Sequence, residues 1–360
     1  MFTVSDKYIN KRCGLHCKEY QQEVNERWGI VNSKDKFTAC HNHEHITKVQ
    51  RAEIVVKIVD EFINAGCLNT LQHFRGELDV KKSYANLKNT DVDVGNINAQ
   101  KTMKSNEVLK TYMPHIYTVK DHKGVSILTL WTREKLENAF NLLDKPNYTV
   151  NSYMTELLKK LRFAPVTLYS PTITKSILQE LDCRSVFDPC IGWGGRMLGT
   201  MCLDGEYTGC EPCTDTYNGL VKMKTDLALE NVTLYHSPVE KLLNTKLKHK
   251  TYEMCLTSPP YFDLEVYSSE DTQSINQYKT YNEWIEKFIK PIIKYVVTHC
   301  TKYSCWSVKN FKTGEQYNLL TDIIKIHKEF KWVLDKQYSI KKDTKKGKSD
   351  GDVTYVFKRE

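Results

Sequence analysis

Four consecutive residues, Ser258-Pro259-Pro260-Tyr261, combine a hydroxyl, two rigid rings and an aromatic face. Proline locks φ, so the pair presents the Pro259 carbonyl on a stiff backbone. A hydroxyl and a carbonyl placed together can accept both N–H groups of an exocyclic amine. Such an amine is a poor nucleophile, because its lone pair is delocalised into the ring. The two hydrogen bonds favour a tetrahedral nitrogen and aim its lone pair at an electrophile. Tyr261 offers a stacking face to a base rotated out of a helix, worth roughly 1–3 kcal/mol against the few kcal/mol that unstacking costs. Phe262 is expected in the same pocket. Taken alone, the string reads equally as a surface turn, and its weight comes from its position.

Upstream, Phe187-Asp188-Pro189-Cys190-Ile191-Gly192-Trp193-Gly194-Gly195 lies where a strand ends and a helix begins. Glycines there let the backbone approach a ligand closely, and ligands of such sheets bind at the carboxyl ends of the strands. A tight turn with no ligand is the alternative. Glu211, in the run Tyr207 to Pro212, falls at the end of the next strand. Its carboxylate can accept hydrogen bonds from both ribose hydroxyls of an adenosyl group. The chain lacks a G-x-G-x-x-G fingerprint at this turn, which argues against a nicotinamide cofactor.

The elements that must position these residues follow from about Pro165 onward, where short apolar runs alternate with amphipathic helical periodicity. Strands are expected at Ser185–Phe187, Tyr207–Cys210, Val232–Tyr235, Tyr252–Leu256 and Tyr303–Val308, with a closing pair at Trp332–Ser339 and Val353–Lys358. Helices are expected over Thr174–Leu181, from Arg196, over Tyr217–Leu229, Trp284–Val296 and Leu319–Phe330. The pattern predicts a doubly wound α/β domain, a mostly parallel sheet with a C-terminal β-hairpin. Both loops then face one crevice.

These residues resemble two motifs of the amino-type (N4-cytosine/N6-adenine) DNA methyltransferases. The turn is similar to D-P-F-x-G-x-G, with Cys190 in place of phenylalanine and Trp193 between the glycines. Ser258-Pro259-Pro260-Tyr261 is similar to [D/N/S]-P-P-[Y/F/W]. The resemblance covers roughly residues 165–360. It implies a class I (Rossmann-like) methyltransferase fold, S-adenosyl-L-methionine as cofactor, and double-stranded DNA with base flipping as partner. It also implies cofactor contacts from Asp188, Pro189, Cys190, Gly192, Gly194, Glu211 and Pro212. Pro238 and Val239 would add an apolar cradle, and Thr172 would donate to the methionine end or act simply in a helix N-cap. The serine-headed loop leans toward cytosine N4 over adenine N6. An RNA base or a protein glutamine amide poses the same lone-pair problem and stays open, as does a non-catalytic module with the cofactor fold.

Further residues extend the candidate site. Glu265 and Tyr267 belong to a polar segment that reads as a lid over substrate or as a solvated loop, and Trp306 reads as a pocket wall or as core. Lys341, Lys342, Lys345, Lys346 and Lys348 are expected in the turn of the last hairpin. There they could neutralise phosphates, or simply be solvated. Residues 1–150 form a separate, mainly helical N-terminal region, the default place for target recognition, and residues 151–360 the catalytic domain. Glu77 to Val108 reads as an extended loop or mobile insertion. Cys13, His16, Cys17, Cys40, His41, His43 and His45 are zinc-compatible residue types without the paired C-x-x-C spacing, and no metal site is assigned.

The bulk properties agree with this reading. The 360 residues are 40% hydrophobic and 27% charged, enough for a large core and too apolar for a disordered chain. Lys and Arg number 52 against 44 Asp and Glu, a formal charge of +8 that mildly favours a polyanionic partner. No apolar run approaches a membrane span and no export signal is seen, so a soluble, cytoplasmic protein with reduced cysteines is expected.

Overall fold

Seven strands form the central sheet of the computed structural model, which describes residues 36–38, 48–75, 78–92, 103–143, 147–163, 166–344 and 347–360. In chain order they are β1 (Ser185–Asp188), β2 (Glu206–Cys210), β3 (Val232–Tyr235), β4 (Tyr252–Thr257), β5 (Cys300–Ser307), β6 (Trp332–Thr344) and β7 (Gly347–Arg359). Across the sheet they run β6-β7-β5-β4-β1-β2-β3. The first five are parallel, and β7 is antiparallel to both β5 and β6. The chain enters at β1 in the middle, winds out to β3, and returns to place β4 on the other side of β1. That reversal opens a crevice at the carboxyl ends of β1 and β4. This is a doubly wound, mostly parallel α/β sheet closed by a C-terminal hairpin, as expected.

The central strands are apolar along their length because both faces are covered. Val186, Phe187, Met254, Cys255 and Leu256 are all buried. Around the sheet lie α1 (Val80–Lys88), α2 (Met103–Tyr112), α3 (Pro171–Glu180), α4 (Gly195–Met201), α5 (Thr214–Asp226), α6 (Lys290–His299) and α7 (Leu319–Glu329). One core cluster gathers Trp284, Ile289, Ile292 and Ile293 with Trp306, Ile323, Trp332 and Phe357. The described cysteines are free thiols, all of them buried except Cys190, which is partly so.

Three expectations need correction. The polar stretch from Glu77 to Val108 is not simply a loop, since α1 and the start of α2 lie in it. Asp79 caps α1 by accepting from the Lys82 N–H, and Leu87 is buried beneath it. At its other end the buried Lys175 ammonium donates to the carbonyls of Lys88 (2.8 Å) and Thr90 (2.6 Å), satisfying acceptors that a helix end otherwise leaves open. The single helix expected over Trp284–Val296 is interrupted by a π turn at Ile285–Ile289 before α6. Pro291, the second residue of α6, has no N–H to give, and a locally widened turn is a usual accommodation. Finally, the closing strands are longer than expected. Lys341, Lys342 and Lys348 therefore lie in the β6/β7 ladder, opposite Asp350, Ser349 and Asp343, instead of in a turn. Lys345 and Lys346 fall outside the described residues.

The chain packs as two compact units. One comprises residues 1–78, 116–118 and 123–166, and the other residues 79–115, 119–122 and 167–360; the sequence had suggested a single boundary after residue 150. In the first unit, helices Lys48–Ala65, Cys67–Arg75, Arg133–Asn141 and Val150–Lys160 enclose Val59, Phe62, Leu71, Leu136, Phe140 and Leu157. Trp131 stacks on Phe62 at 5.8 Å, and its indole N–H donates to the Phe62 carbonyl (3.2 Å). Cys13, His16, Cys17, Cys40, His41, His43 and His45 lie outside the described residues. Among the described residues no His/Cys/Asp/Glu group could hold a metal ion, and no helix is long and apolar enough to cross a membrane.

Candidate active site

At the end of β1 the Asp188 carboxylate is fully buried. Its Oδ2 accepts from Arg196 Nε (2.7 Å) and from the Tyr207 hydroxyl (2.6 Å). Its Oδ1 accepts from the Thr257 hydroxyl (3.0 Å) and the Cys190 N–H (3.2 Å). Arg196 also donates to the carbonyls of Cys190 and Ile191. Burial alone would lower the guanidinium pKa, but Asp188 and Tyr207 beside it outweigh that effect and raise it. A buried ion pair persists only when its remaining hydrogen-bonding capacity is met, and here it is. Asp188 was expected to touch a cofactor, yet these bonds turn it inward. It holds the glycine turn in shape and ties the turn to the last residue of β4.

The turn itself needs glycine for two different reasons. Gly192 and Gly194 have positive φ, 57° and 80°, a conformation disfavoured for residues with a Cβ. Gly195 is forced by proximity, since a Cβ there would stand 1.8 Å from the Tyr169 carbonyl oxygen. Pro189 is buried. The Cys190 thiol is pushed well above its ordinary range by burial and by the Asp188 charge. Trp193 is nearly covered, with the His115 ring 5.3 Å and the Tyr267 ring 6.0 Å away.

Glu211 follows β2 at the same edge and is 7% exposed. One carboxylate oxygen accepts the Gly192 N–H (3.0 Å) and the other the Cys213 N–H (2.8 Å). Burial pushes its pKa up to about 7 even though both N–H groups pull it down. Pro212 lies beside it, its carbonyl accepting from the Thr272 hydroxyl (3.3 Å). Beyond β3, Pro238 and Val239 are buried and open a short 3-10 turn. Thr172 is fully buried in the first turn of α3.

The loop after β4 is clamped on both sides by consecutive hydroxyls. Thr257 donates to Asp188 at the end of β1, and Ser258 donates to the Ser307 carbonyl (3.0 Å) at the end of β5. With its own proton engaged, the Ser258 oxygen keeps its lone pairs as acceptors. Pro259 is buried, while Pro260 and Tyr261 are half-buried. The Tyr261 ring meets Phe311 edge-on at 4.9 Å. Glu265 pairs in a short antiparallel ladder with Asp121, and the Tyr267 hydroxyl donates to the Glu265 carboxylate.

Two residues expected at the substrate are core instead. Phe262 packs among Tyr281, Trp284 and Tyr317. Trp306 is fully buried, its indole N–H donating to Ser304 (2.7 Å) and its ring edge-on to His327. That histidine is itself buried, which pulls its pKa down to about 4 and keeps it neutral. Sequence reading missed Arg196, Tyr207 and Thr257, the partners of Asp188. The available signal was a tyrosine hydroxyl at the start of one strand and a threonine hydroxyl directly after another.

No family model matches the chain, and no curated protein matches it. Solved structures do. TrmN from Thermus thermophilus aligns over 53% of this chain and 49% of its own, with 10% identity and a TM-score of 0.37. A SAM-dependent methyltransferase from Agrobacterium tumefaciens covers 55% of this chain and 64% of its own, at 11% identity and a TM-score of 0.39. Magnesium protoporphyrin IX methyltransferase from Synechocystis PCC 6803, solved with bound SAM, covers 55% and 87%, at 12% identity and a TM-score of 0.34.

Proposed function

We propose that this chain is an S-adenosylmethionine-dependent methyltransferase acting on an exocyclic amino group of a nucleic-acid base. On the resemblance of its serine-headed loop, cytosine N4 in DNA is favoured over adenine N6. The observation that supports this most is the sharing of one buried carboxylate between two loops. Asp188 bonds both the turn that would cradle the cofactor and Thr257, which carries the catalytic loop. A fixed spacing between methyl donor and acceptor is what a transfer reaction requires.

The residues present suit the cofactor. The Glu211 oxygens would accept from a ribose diol, Gly192 and Gly194 would let the backbone approach the ligand, and Pro238 with Val239 would offer apolar surface. Thr172 would serve the amino-acid end. When bound, S-adenosylmethionine supplies an activated methyl group. The Ser258 oxygen and the Pro259 carbonyl would accept the two N–H groups of the target amine and turn its lone pair out of conjugation. Tyr261 would hold the flipped base by stacking, and Glu265 and Tyr267 would cover it. As the nitrogen takes the methyl group it sheds a proton to water. Recognition of sequence is assigned to the first compact unit, because the segment between β1 and β4 has no room for a recognition domain.

Labelled-methyl transfer to DNA tests this reading. Ser258→Ala and Tyr261→Ala should each lose transfer by about 100-fold or more while cofactor binding persists. Undiminished transfer by either variant would overturn the assignment. Digestion and mass spectrometry of the product would distinguish cytosine from adenine, and parallel reactions with RNA and with a glutamine peptide would identify the substrate class.

A further inference from the structure

The backbone that follows β5 is pinned at several points beside Tyr261. Val308 and Phe311 are buried. Between them the Asn310 side-chain oxygen accepts the Leu320 N–H at the start of α7 (3.0 Å). Phe311 and Lys312 then pair with Tyr317 and Gln316 in a short antiparallel ladder. The Thr313 hydroxyl lies 2.8 Å from both oxygens of Asp263, two residues past Tyr261, and the Tyr317 hydroxyl lies 3.4 Å from one of them. Lys309, next to the buried Val308, is exposed at the start of this pinned stretch. Its ammonium sits 6.0 Å from the centre of the Tyr261 ring. Asp263, the carboxylate carried by the neighbouring loop, is engaged by Thr313 and Tyr317, and among the described residues no carboxylate pairs with Lys309.

A cation over a tyrosine ring at an exposed site is held weakly, more weakly than a stacked base. A base settling on Tyr261 therefore displaces the ammonium, and the anion that arrives with a nucleotide is its own phosphate. We propose that Lys309 anchors the backbone phosphate of the target nucleotide, released from Tyr261 as the base takes its place. This rests on the reading of Tyr261 as the base-stacking residue and goes beyond it, since it makes the site selective for a polyanion over a neutral amide. A lysine serves here as a point charge, contributing to register without reading sequence.

The test is methyl transfer to a duplex oligonucleotide, with KM followed from 50 to 200 mM salt, for the wild-type chain, Lys309→Gln and Lys309→Arg. Lys309→Gln should raise KM for the oligonucleotide about 5-fold at low salt and reduce the slope of log KM against log salt by about 1, the loss of one phosphate contact. It should leave cofactor affinity and kcat within about 2-fold, and Lys309→Arg should restore the slope. A wild-type salt slope in Lys309→Gln, with the wild-type chain active on DNA or RNA, overturns this inference and leaves the proposed function standing. A wild-type chain that methylates a peptide amide and no nucleic acid overturns both.

Discussion

The carbonyl oxygen of Tyr169 occupies the space where any side chain on Gly195 would have to start, 1.8 Å from an ideal Cβ. The segment leading into α3 and the helix leaving the glycine turn are in backbone-to-backbone contact, and neither can give way as a flexible side chain would. Gly195→Ala should therefore cost about 3 kcal/mol, the upper end for forcing atoms into a packed site. That corresponds to a fall in Tm of roughly 6–12 °C. Gly192→Ala is the informative contrast, because nothing lies within 4 Å of its Cβ and only its positive φ is unfavourable, a cost of about 1–2 kcal/mol. Thermal melts of the two variants check this, and equal losses would show that close approach is not what selects glycine at residue 195.

Cofactor affinity should depend on the ionisation of Glu211. Its pKa lies near 7 because burial penalises the charged form, while a ribose diol is best accepted by the carboxylate. Affinity should weaken as pH falls from 8 to 6, approaching tenfold per unit below the pKa. Titration of S-adenosylhomocysteine by calorimetry would show this. Glu211→Gln should bind weakly at every pH, with the profile flattened.

The same group and His327 act on stability in opposite directions. Glu211 rises from its ordinary 4.5 to about 7 on folding. The folded chain thus holds a proton that the unfolded chain has released, and stability falls as pH rises through that window. His327 drops from 6.5 to about 4. There the unfolded chain holds the extra proton, and stability falls as pH drops through that window. Between about 4.5 and 6.5 the two slopes, each at most about 1.4 kcal/mol per pH unit, oppose one another. Denaturant unfolding should show stability rising with pH in Glu211→Gln and falling with pH in His327→Gln, relative to the wild-type chain. Parallel profiles for all three would count against both assignments.

Lys175 is the link that holds the end of α1. It is 5% exposed, with its ammonium donating to the carbonyls of Lys88 and Thr90. Charge-assisted bonds of this kind are worth about 1.5–3 kcal/mol each. Lys175→Met should lower stability by about 2 kcal/mol and make residues 89–92 a preferred site of limited proteolysis. A protease pattern identical to that of the wild-type chain would show that α1 is held by other contacts.

The alternation of apolar runs and helical periodicity carried most of the sheet in advance. β3 lies where its residues indicated, and the other parallel strands differ by a residue or a few at their ends. The location of Glu211 and Ser258 at the carboxyl edge of the sheet was legible because topology alone puts the ends of parallel strands on one edge. What was hidden depends on partners distant in sequence. α1 is short and polar apart from a few residues such as Leu87, and it needs Lys175 to finish it. Phe262 and Trp306 could not be told from pocket walls, since a buried aromatic and a substrate-facing one have the same composition. Asp188 was read as a ligand contact because its bonds to Arg196, Tyr207 and Thr257 exist only once three separate segments meet.

Those bonds give the arrangement of the two loops no mode of failure of its own. Asp188 joins the glycine turn, α4, β2 and β4 through buried contacts, and buried networks of this kind open only with the surrounding fold. The half-buried segment around Glu265 and Tyr267 is held by less, a two-residue ladder with Lys120 and Asp121 and the ring of Trp193 beside Tyr267, and can open before the sheet does. Heating should therefore first loosen that segment with the two loops still in place, and then lose loop arrangement and sheet structure together in one cooperative transition.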